Sequence, residues 1–297
     1  MKKKPIDLAY VLTLPPEKAV AYFRRKGRRV SFDWHSMWKE AHATAFTVAN
    51  CAKLDVLRDL QLGIRTMLKE GKSEQWFVRT LEPVLRAKGW WGPRDEVNPR
   101  TGEIIKVQQG SKWRLGLIAR QNVQSADNAG AWEEQWDNRE EEPYLRYVSM
   151  EDARTRPQHR ALHGKIFPVD DPFWQTHYPP NGWNCRCNVE GVSPARLKRR
   201  KWKVESSEGK MTTREIVIRD RRTGEETVRT VTGYRYDKDN VFWTDAGFDY
   251  NPGAVAMADN ILRERIRGLK DPALYEQARQ AINNSTARHE GFAAVVE

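Results

Sequence analysis

Residues 179–187 read PPNGWNCRC, so two of the chain's three cysteines, Cys185 and Cys187, stand one residue apart around Arg186. Three chemistries are open to such a pair. Thiolates ligate zinc, and imidazoles from His159 and His163 or His177 would complete a mixed sulfur and nitrogen set. A close pair can also serve as a redox couple, although no neighbouring group in the sequence clearly lowers a thiol pKa. The third reading is architectural: small, buried side chains fill space after a Pro-Pro-Asn-Gly turn. Arg186 would then point the other way along an extended chain and pair with an acid such as Asp152, Asp170 or Asp171. Zinc cysteines usually sit on a knuckle with two or more residues between them, so the spacing alone favours the architectural reading over metal.

The histidines admit equally plain readings. His159 and His163 are four residues apart and would share one helical face, as metal ligands often do. The residues between them are Arg160, Ala161 and Leu162, with no catalytic glutamate. Gly164 follows as a helix C-cap would, and a histidine near a helix C-terminus has an electrostatic use of its own. A metal-dependent nuclease is the enzymatic alternative, built on His159, His163, Asp170, Asp171, Asn181 and Asn184 beside a basic surface. No catalytic template with its required order matches, and Asp-Asp-Pro reads as readily as a helix N-cap. Two basic runs are candidate DNA contacts: RRKGRR, with Arg24, Arg25, Arg28 and Arg29, and RLKRRKWK, with Lys198, Arg199, Arg200 and Lys201. Such runs are more often solvated faces; Trp202 adds an aromatic to the second.

Composition limits what these residues can belong to. The chain has 297 residues, 39% hydrophobic and 31% charged, enough for one large domain or two ordinary ones with a real core. Its 51 Lys and Arg against 40 Asp and Glu leave a net charge of +11, which favours polyanions or an acidic protein partner. No apolar run approaches the roughly 20 residues that cross a bilayer. The opening MKKKPIDLAYVL has no small-residue cleavage site, and an odd cysteine count argues against a disulfide framework. A soluble, unsecreted protein of a reducing compartment is expected.

Helices are predicted first along the chain. PPEKAVAYFRRKG opens at Pro15 and Pro16 and closes at Gly27. SFDWHSMWKEAHATAFTVAN carries Trp34, Met37 or Trp38, Ala41 and Ala45 at helical spacing. AKLDVLRDLQLGIRTMLKEG carries Leu54, Leu57, Leu60 or Gln61, Ile64 and Met67 or Leu68, ending at Gly71. Ser73 caps a helix with Trp76, Phe77, Leu81 and Leu85. Residues 90–110, rich in Pro and Gly, predict a loop or small hairpin. Helical periodicity resumes over WRLGLIARQNVQSADNAGAWEEQWDN, and YLRYVSM alternates as a strand. Ile216 and Ile218 on one arm, Val228 and Val231 on the other, and Thr223-Gly224 between them predict a hairpin projecting from the core. A turn-rich loop, DAGFDYNPGA, precedes two closing helices, MADNILRERIRGL and PALYEQARQAINNS.

The stretch DARTRPQHRALHGKIFPVDDPFWQTHYPPNGWNCRCNV resembles the signature of the phage Mu F-like minor head proteins, also called phage head morphogenesis proteins. The likeness extends upstream through PPEKAVAYFRRKG, AFTVAN, the helix ending in GWWG, and RLGLIARQNVQSADNAG, covering roughly residues 10–195. Its signature positions here are Asp152, Arg154, His159, Gly164, Pro179, Pro180, Asn184, Cys185, Arg186 and Cys187. Many relatives carry Cys-x-x-Cys where this chain has Arg156-Pro157-Gln158-His159. The set that looks like a zinc site there is reduced here to His159, Cys185 and Cys187.

The resemblance implies an α+β protein with a non-enzymatic, structural role in head assembly. It implies portal and other capsid proteins as partners, with no membrane and no small-molecule substrate. It implies residence in the procapsid or virion head, and in the host bacterial cytoplasm during assembly. Cofactors are expected to be none, or a structural zinc. The expected organisation is a mainly helical N-terminal region (1–92), a small mixed α/β Mu F-like core carrying the Cys-Arg-Cys block (93–195), a basic β-hairpin region (196–250) and C-terminal helices (251–297). The likeness also suggests a further C-terminal region, because HEGFAAVVE ends as an apolar segment begins.

Overall fold

The computed structural model describes residues 16–31, 37–51, 53–97, 102–220, 223–268 and 271–277. Along the chain come helix α1 (Glu17–Arg25), strand β1 (Gly27–Arg28), the short helix α2 (Ala41–Thr44) and strand β2 (Ala45–Phe46). Helices α3 (Leu54–Glu70) and α4 (Glu74–Ala87), strands β3 (Pro93–Val97) and β4 (Ile104–Gln108), and helix α5 (Lys112–Asp137) follow. Next are β5 (Tyr144–Val148), α6 (Pro157–Ala161), β6 (Ile166–Pro168), α7 (Phe173–His177), β7 (Asn188–Val192) and α8 (Pro194–Arg200). Strands β8 (Met211–Arg219), β9 (Glu226–Arg235) and β10 (Val241–Trp243) and helix α9 (Pro252–Arg267) come last. Residues 272–277 are also helical. Helices and small sheets together make an α+β fold.

Local chemistry explains most of these boundaries. Ser73 Oγ accepts a hydrogen bond from Trp76 N at 3.2 Å and caps α4 as predicted, and Ser111 does the same for α5 through Arg114 N at 3.2 Å. The stripe of α3 is buried from Leu57 through Leu60, Gln61, Ile64 and Met67 to Leu68, while Leu54 at its start is 60% exposed. Residues 93–108 form the small hairpin, β3 against β4. The helix expected through Ala45 is shorter than its spacing predicts. Among the described residues only Ala41–Thr44 is helical, because Phe46, Thr47 and Val48 are β-favouring and Ala45–Phe46 pairs in parallel with Gly27–Arg28. Trp34 lies outside the described residues, as does the second closing helix beyond residue 277.

Two hydrophobic clusters share α5, which at 26 residues is about 39 Å long. The first joins α1, α3 and α4 to Leu115, Ile118, Ala119, Ala126 and Ala129 of α5. Close approach of α1 depends on Gly130, where a Cβ would lie 2.7 Å from the Ala19 backbone nitrogen. The second cluster starts at Trp132 and holds the residues of the signature block. Here β5 is the centre of an antiparallel sheet ordered β6-β5-β7, with Tyr147 opposite Val189. Phe167, Phe173, Trp174, Tyr178, Tyr234 and Phe242 fill the space behind it, all at most 1% exposed.

The 211–235 hairpin differs from its predicted role. Its tip half carries the exposed pair Val217 and Val228, but Val231 and Tyr234 at its base are buried, and Tyr234 packs edge-on against Phe167 and Phe173. With β10 added to its edge, the hairpin is a three-stranded sheet that closes the second core. Charge at its flanks hid this, because the burying positions are few, Ile218 near the tip and Val231 and Tyr234 toward the base.

Candidate functional site

The turn PPNGWNCRC is held by side chains from four parts of the chain. The Pro179–Pro180 peptide bond is cis. Asn181, fully buried, donates through Nδ2 to the Tyr147 hydroxyl at 2.9 Å and to the His177 carbonyl at 3.0 Å. Trp183 N donates to Asp245 Oδ2 at 3.0 Å, and Arg156 Nη1 holds the same carboxylate at 3.0 Å. Asn184 adopts φ 56°, a left-handed conformation that asparagine tolerates, and α5 fixes it twice. Its N donates to Gln121 Oε1 at 3.2 Å and its Oδ1 accepts from Arg120 Nε at 3.1 Å. The chain then runs extended through 185–187 into β7, with Gln124 Nε2 donating to the Cys187 carbonyl at 3.2 Å.

Extended backbone sends alternate side chains to opposite sides. Cys185 and Cys187 turn inward, 6% and 3% exposed, and Arg186 turns outward. There Arg186 makes a bidentate pair with Asp152, Nη1 to Oδ2 at 2.7 Å and Nη2 to Oδ1 at 2.6 Å. Arg154 N and Thr155 Oγ1 add hydrogen bonds to Asp152 Oδ1 at 3.0 and 3.2 Å. The guanidinium holds the Asp152 carboxyl well below the usual carboxylate range. A carboxyl depressed in the folded state stabilises above its unfolded pKa of roughly 3.9, and that contribution is lost as pH falls through the folded value. Asp152→Asn is therefore expected to lower the melting temperature by a constant amount between about pH 5 and 8 and by less below about pH 4. A pH series of thermal melts on parent and variant measures this.

Inside the turn, His159 completes a trio. Pro157 opens α6, and the helix delivers His159, 3% exposed, with Nδ1 at 3.7 Å from Cys185 Sγ and 3.4 Å from Cys187 Sγ. The three ligand atoms lie within 4.8 Å of one another. Zn–S bonds of about 2.3 Å and Zn–N bonds of about 2.0 Å at a tetrahedral angle put sulfur and nitrogen about 3.6 Å apart, so the edges found here suit that metal. The other ring nitrogen, Nε2, is buried with no hydrogen-bond partner, leaving the two sulfurs as the partners of the imidazole. A cavity of about 30 Å³ adjoins the trio, lined by Arg154, Thr155, Arg156 and Asn184 among others, with room for one water-sized fourth ligand. The donor set, a thiolate pair with one imidazole, fits zinc.

Electrostatics divide the two sulfurs. A hydrogen bond from Cys187 holds the Cys185 thiol well below its ordinary pKa, whereas Cys187 is pushed far up by the same bond and by burial. Tyr147, its hydroxyl raised above the ordinary value chiefly by burial, lies against both sulfurs. Arg156, at the start of the expected Cys-x-x-Cys position, does not ligate. Its guanidinium is turned to Asp245 and, at 3.3 Å, to the Trp183 carbonyl.

The remaining candidates are dispersed. His163 lies beyond the end of α6, where its ring meets Arg146 at 3.2 Å and the Ser149 carbonyl at 3.2 Å. It does not share a face with His159. Gly164 has the positive φ of a cap, 83°, but it follows the helix by three residues and its N donates to Tyr147 O in the sheet. His177 packs on Phe173 at 5.0 Å, away from the thiolates, and burial drives its pKa down to about 3, so it is neutral. Asp171 Oδ1 accepts from Phe173 N at 2.9 Å just ahead of α7, whose N-cap is Pro172, and Asp171 also accepts from Ser207, while Asp170 is exposed. The nuclease constellation is thus not assembled. Tyr147, Asp245 and Phe242 gave no signal in the sequence: a strand tyrosine, a loop aspartate and a short-strand phenylalanine are each ordinary in isolation.

A comparison of sequences places this geometry. The chain is 40% identical over 98% of its length to the putative capsid assembly protein F of Escherichia phage Mu. This chain belongs to the Phage Mu protein F-like family. The Mu-like prophage FluMu F protein of Haemophilus influenzae is likewise 40% identical, over 89% of this chain. The profile of the family matches residues 59–190, which span α3 through β7 and so include the whole Mu F-like signature with the trio. The chain covers 66% and 63% of the lengths of these two relatives. No solved structure matches the chain.

Proposed function

We propose that this chain is a capsid-assembly protein of a tailed phage or prophage, non-enzymatic, acting in head morphogenesis beside the portal protein. The observation that carries the reading is the 40% identity, along nearly the whole chain, to a protein named as a putative capsid assembly protein. The site supports a structural role. Its trio is at most 6% exposed, closed in by the turn and by α6. Zinc, when bound there, would be a cross-link held by His159, Cys185 and Cys187. It would tie α6 and the start of β7 together, as structural zinc does elsewhere. Asn181, Tyr147 and Asp245 set the turn that brings the two cysteines to the histidine.

The test is incorporation. Heads purified from a host carrying the intact phage or prophage should contain the chain, and the portal protein should copurify with it from a lysate of that host. A Cys185→Ser, Cys187→Ser chain should be lost from the heads. Heads of normal number and content after deletion of the gene would overturn the assembly role, and failure of the portal protein to copurify would overturn the portal association.

A further inference from the structure

One cation of the first basic run is turned inward. Arg24, Arg25 and Arg28 stay at the surface, as do Lys198, Arg199, Arg200 and Lys201 of the second run, but Lys26 is only 7% exposed. Its Nζ donates to the His42 carbonyl at 2.6 Å and lies 4.8 Å over the Tyr22 ring. Lys26 lines a cleft of about 460 Å³ that the His159, Cys185 and Cys187 trio does not reach. One wall is a face of α5, where Arg114, Ile118, Gln121 and Ser125 recur at helical spacing. The loop 246–250, between β10 and α9, contributes the opposite wall. Asp249 fixes that loop, its Oδ2 accepting from Lys39 Nζ at 2.7 Å and from Thr232 N at 2.9 Å. Trp113 and Trp183 also line the cleft and are 70% and 42% exposed, so they stand at its rim.

Arg114 is the second cation in the wall. It donates to the backbone carbonyls of Gln108, Gln109 and Ala49, and its guanidinium lies 5.1 Å from the centre of the Trp90 ring. Burial lowers the pKa of both cations, Lys26 to about 7, and no carboxylate offsets that burial. The polar groups beside them are those that meet a peptide backbone. Gln108 Nε2 and Asn122 Nδ2 are spent on the carbonyls of Gly110 at 3.0 Å and Ile118 at 2.9 Å, which leaves their amide oxygens as acceptors. Thr47 Oγ1 and Gln121 Nε2 are buried donors with no hydrogen-bond partner among the described residues.

We propose that this cleft binds an extended segment of a partner protein in which a large apolar side chain stands next to a carboxylate. The apolar side chain fits between Leu117, Ile118, Val48 and Phe248. The carboxylate answers the uncompensated charge of Lys26 and Arg114, as charge-assisted hydrogen bonds do. A volume of this size is that of a binding site, roughly 300–1,000 Å³. The rim favours a chain over a small molecule, because the two exposed tryptophans carry apolar surface beyond the cleft, and such residues anchor protein partners. This assignment rests on the chemistry of the cleft and stands apart from the head-assembly reading.

A random heptapeptide library panned against the immobilised full chain supplies the probes, and fluorescence anisotropy of the enriched peptides, labelled and titrated with the chain, gives their affinities. Enriched peptides should place Asp or Glu beside Phe, Trp, Leu or Ile. Replacing that acid by its amide should weaken binding about 10-fold. Trp113→Ala, a change at an exposed position, should weaken it by about the same factor. Asn122→Glu, which brings a carboxylate into the cleft, should weaken it by about 10-fold or more, whereas Leu62→Glu, on an exposed position of α3 outside the cleft, should bind like the parent. Thermal melts of the variants show that each is folded. No enrichment, enriched peptides without an acid, or an affinity that either cleft substitution leaves unchanged would each overturn the proposal.

Discussion

Replacing Cys185 and Cys187 by serine is expected to remove about one zinc per chain, measured by elemental mass spectrometry, and to lower stability by about 3–5 kcal/mol. For a chain of this size that is a drop in melting temperature of roughly 5–8 °C. Serine is nearly isosteric with cysteine, so lost packing volume is small, and the effect measures ligation. A chelator applied to the parent should reproduce the shift, and His159→Ala should lose the metal while leaving both thiols in place. The sulfurs' own arrangement allows a sharp contrary result. If the parent carries no metal, the pair is held by the hydrogen bond between the two sulfurs and by His159 Nδ1 at 3.7 and 3.4 Å from them. Serine substitution would then cost only the hydrogen bonds, about 1–3 kcal/mol, and the chelator would change nothing.

How much of this was legible in the sequence depends on the range of each interaction. Helices α1, α3, α4 and α5 were readable because spacing, caps and glycine stops are local, and Ser73 and Gly71 stand where they should. The helix stopped at Thr44 and did not continue through Ala45–Phe46 because the partner those residues pair with, Gly27–Arg28, is remote in sequence. Arg186 and Asp152 were nameable as a pair from alternation alone, although Asp170 and Asp171 were equal candidates until the turn placed them. His159 was nameable as a partner of the cysteines only alongside His163 and His177, and the resemblance narrowed the set: two dozen residues separate it from them, and no periodicity carries a signal across the turn. His163 was misplaced for a similar reason. Four-residue spacing presumes a continuing helix, and α6 ends at Ala161.

Phe242→Ala is expected to have the second large effect, and to link the C-terminal sheet to the His159, Cys185 and Cys187 trio. The ring is fully buried, edge-on to His159 at 5.2 Å and tilted against His177 at 5.5 Å. Truncating such a residue costs about 3–5 kcal/mol, because transfer energy and a cavity add. The position of the cavity matters more than its size. It would open behind the imidazole that closes the trio, and His159 has no described hydrogen bond other than those to the sulfurs to hold its ring in place. Zinc affinity should therefore fall by 10-fold or more, the scale at which groups supporting a ligand act. Competition for zinc with a chromogenic chelator gives that affinity, and Phe242→Leu, which keeps most of the volume, should restore it nearly to the parent value. A Phe242→Ala chain that melts early yet holds zinc as tightly as the parent would show that the hairpin sheet supports the core alone, with His159 fixed by α6 and the two thiols.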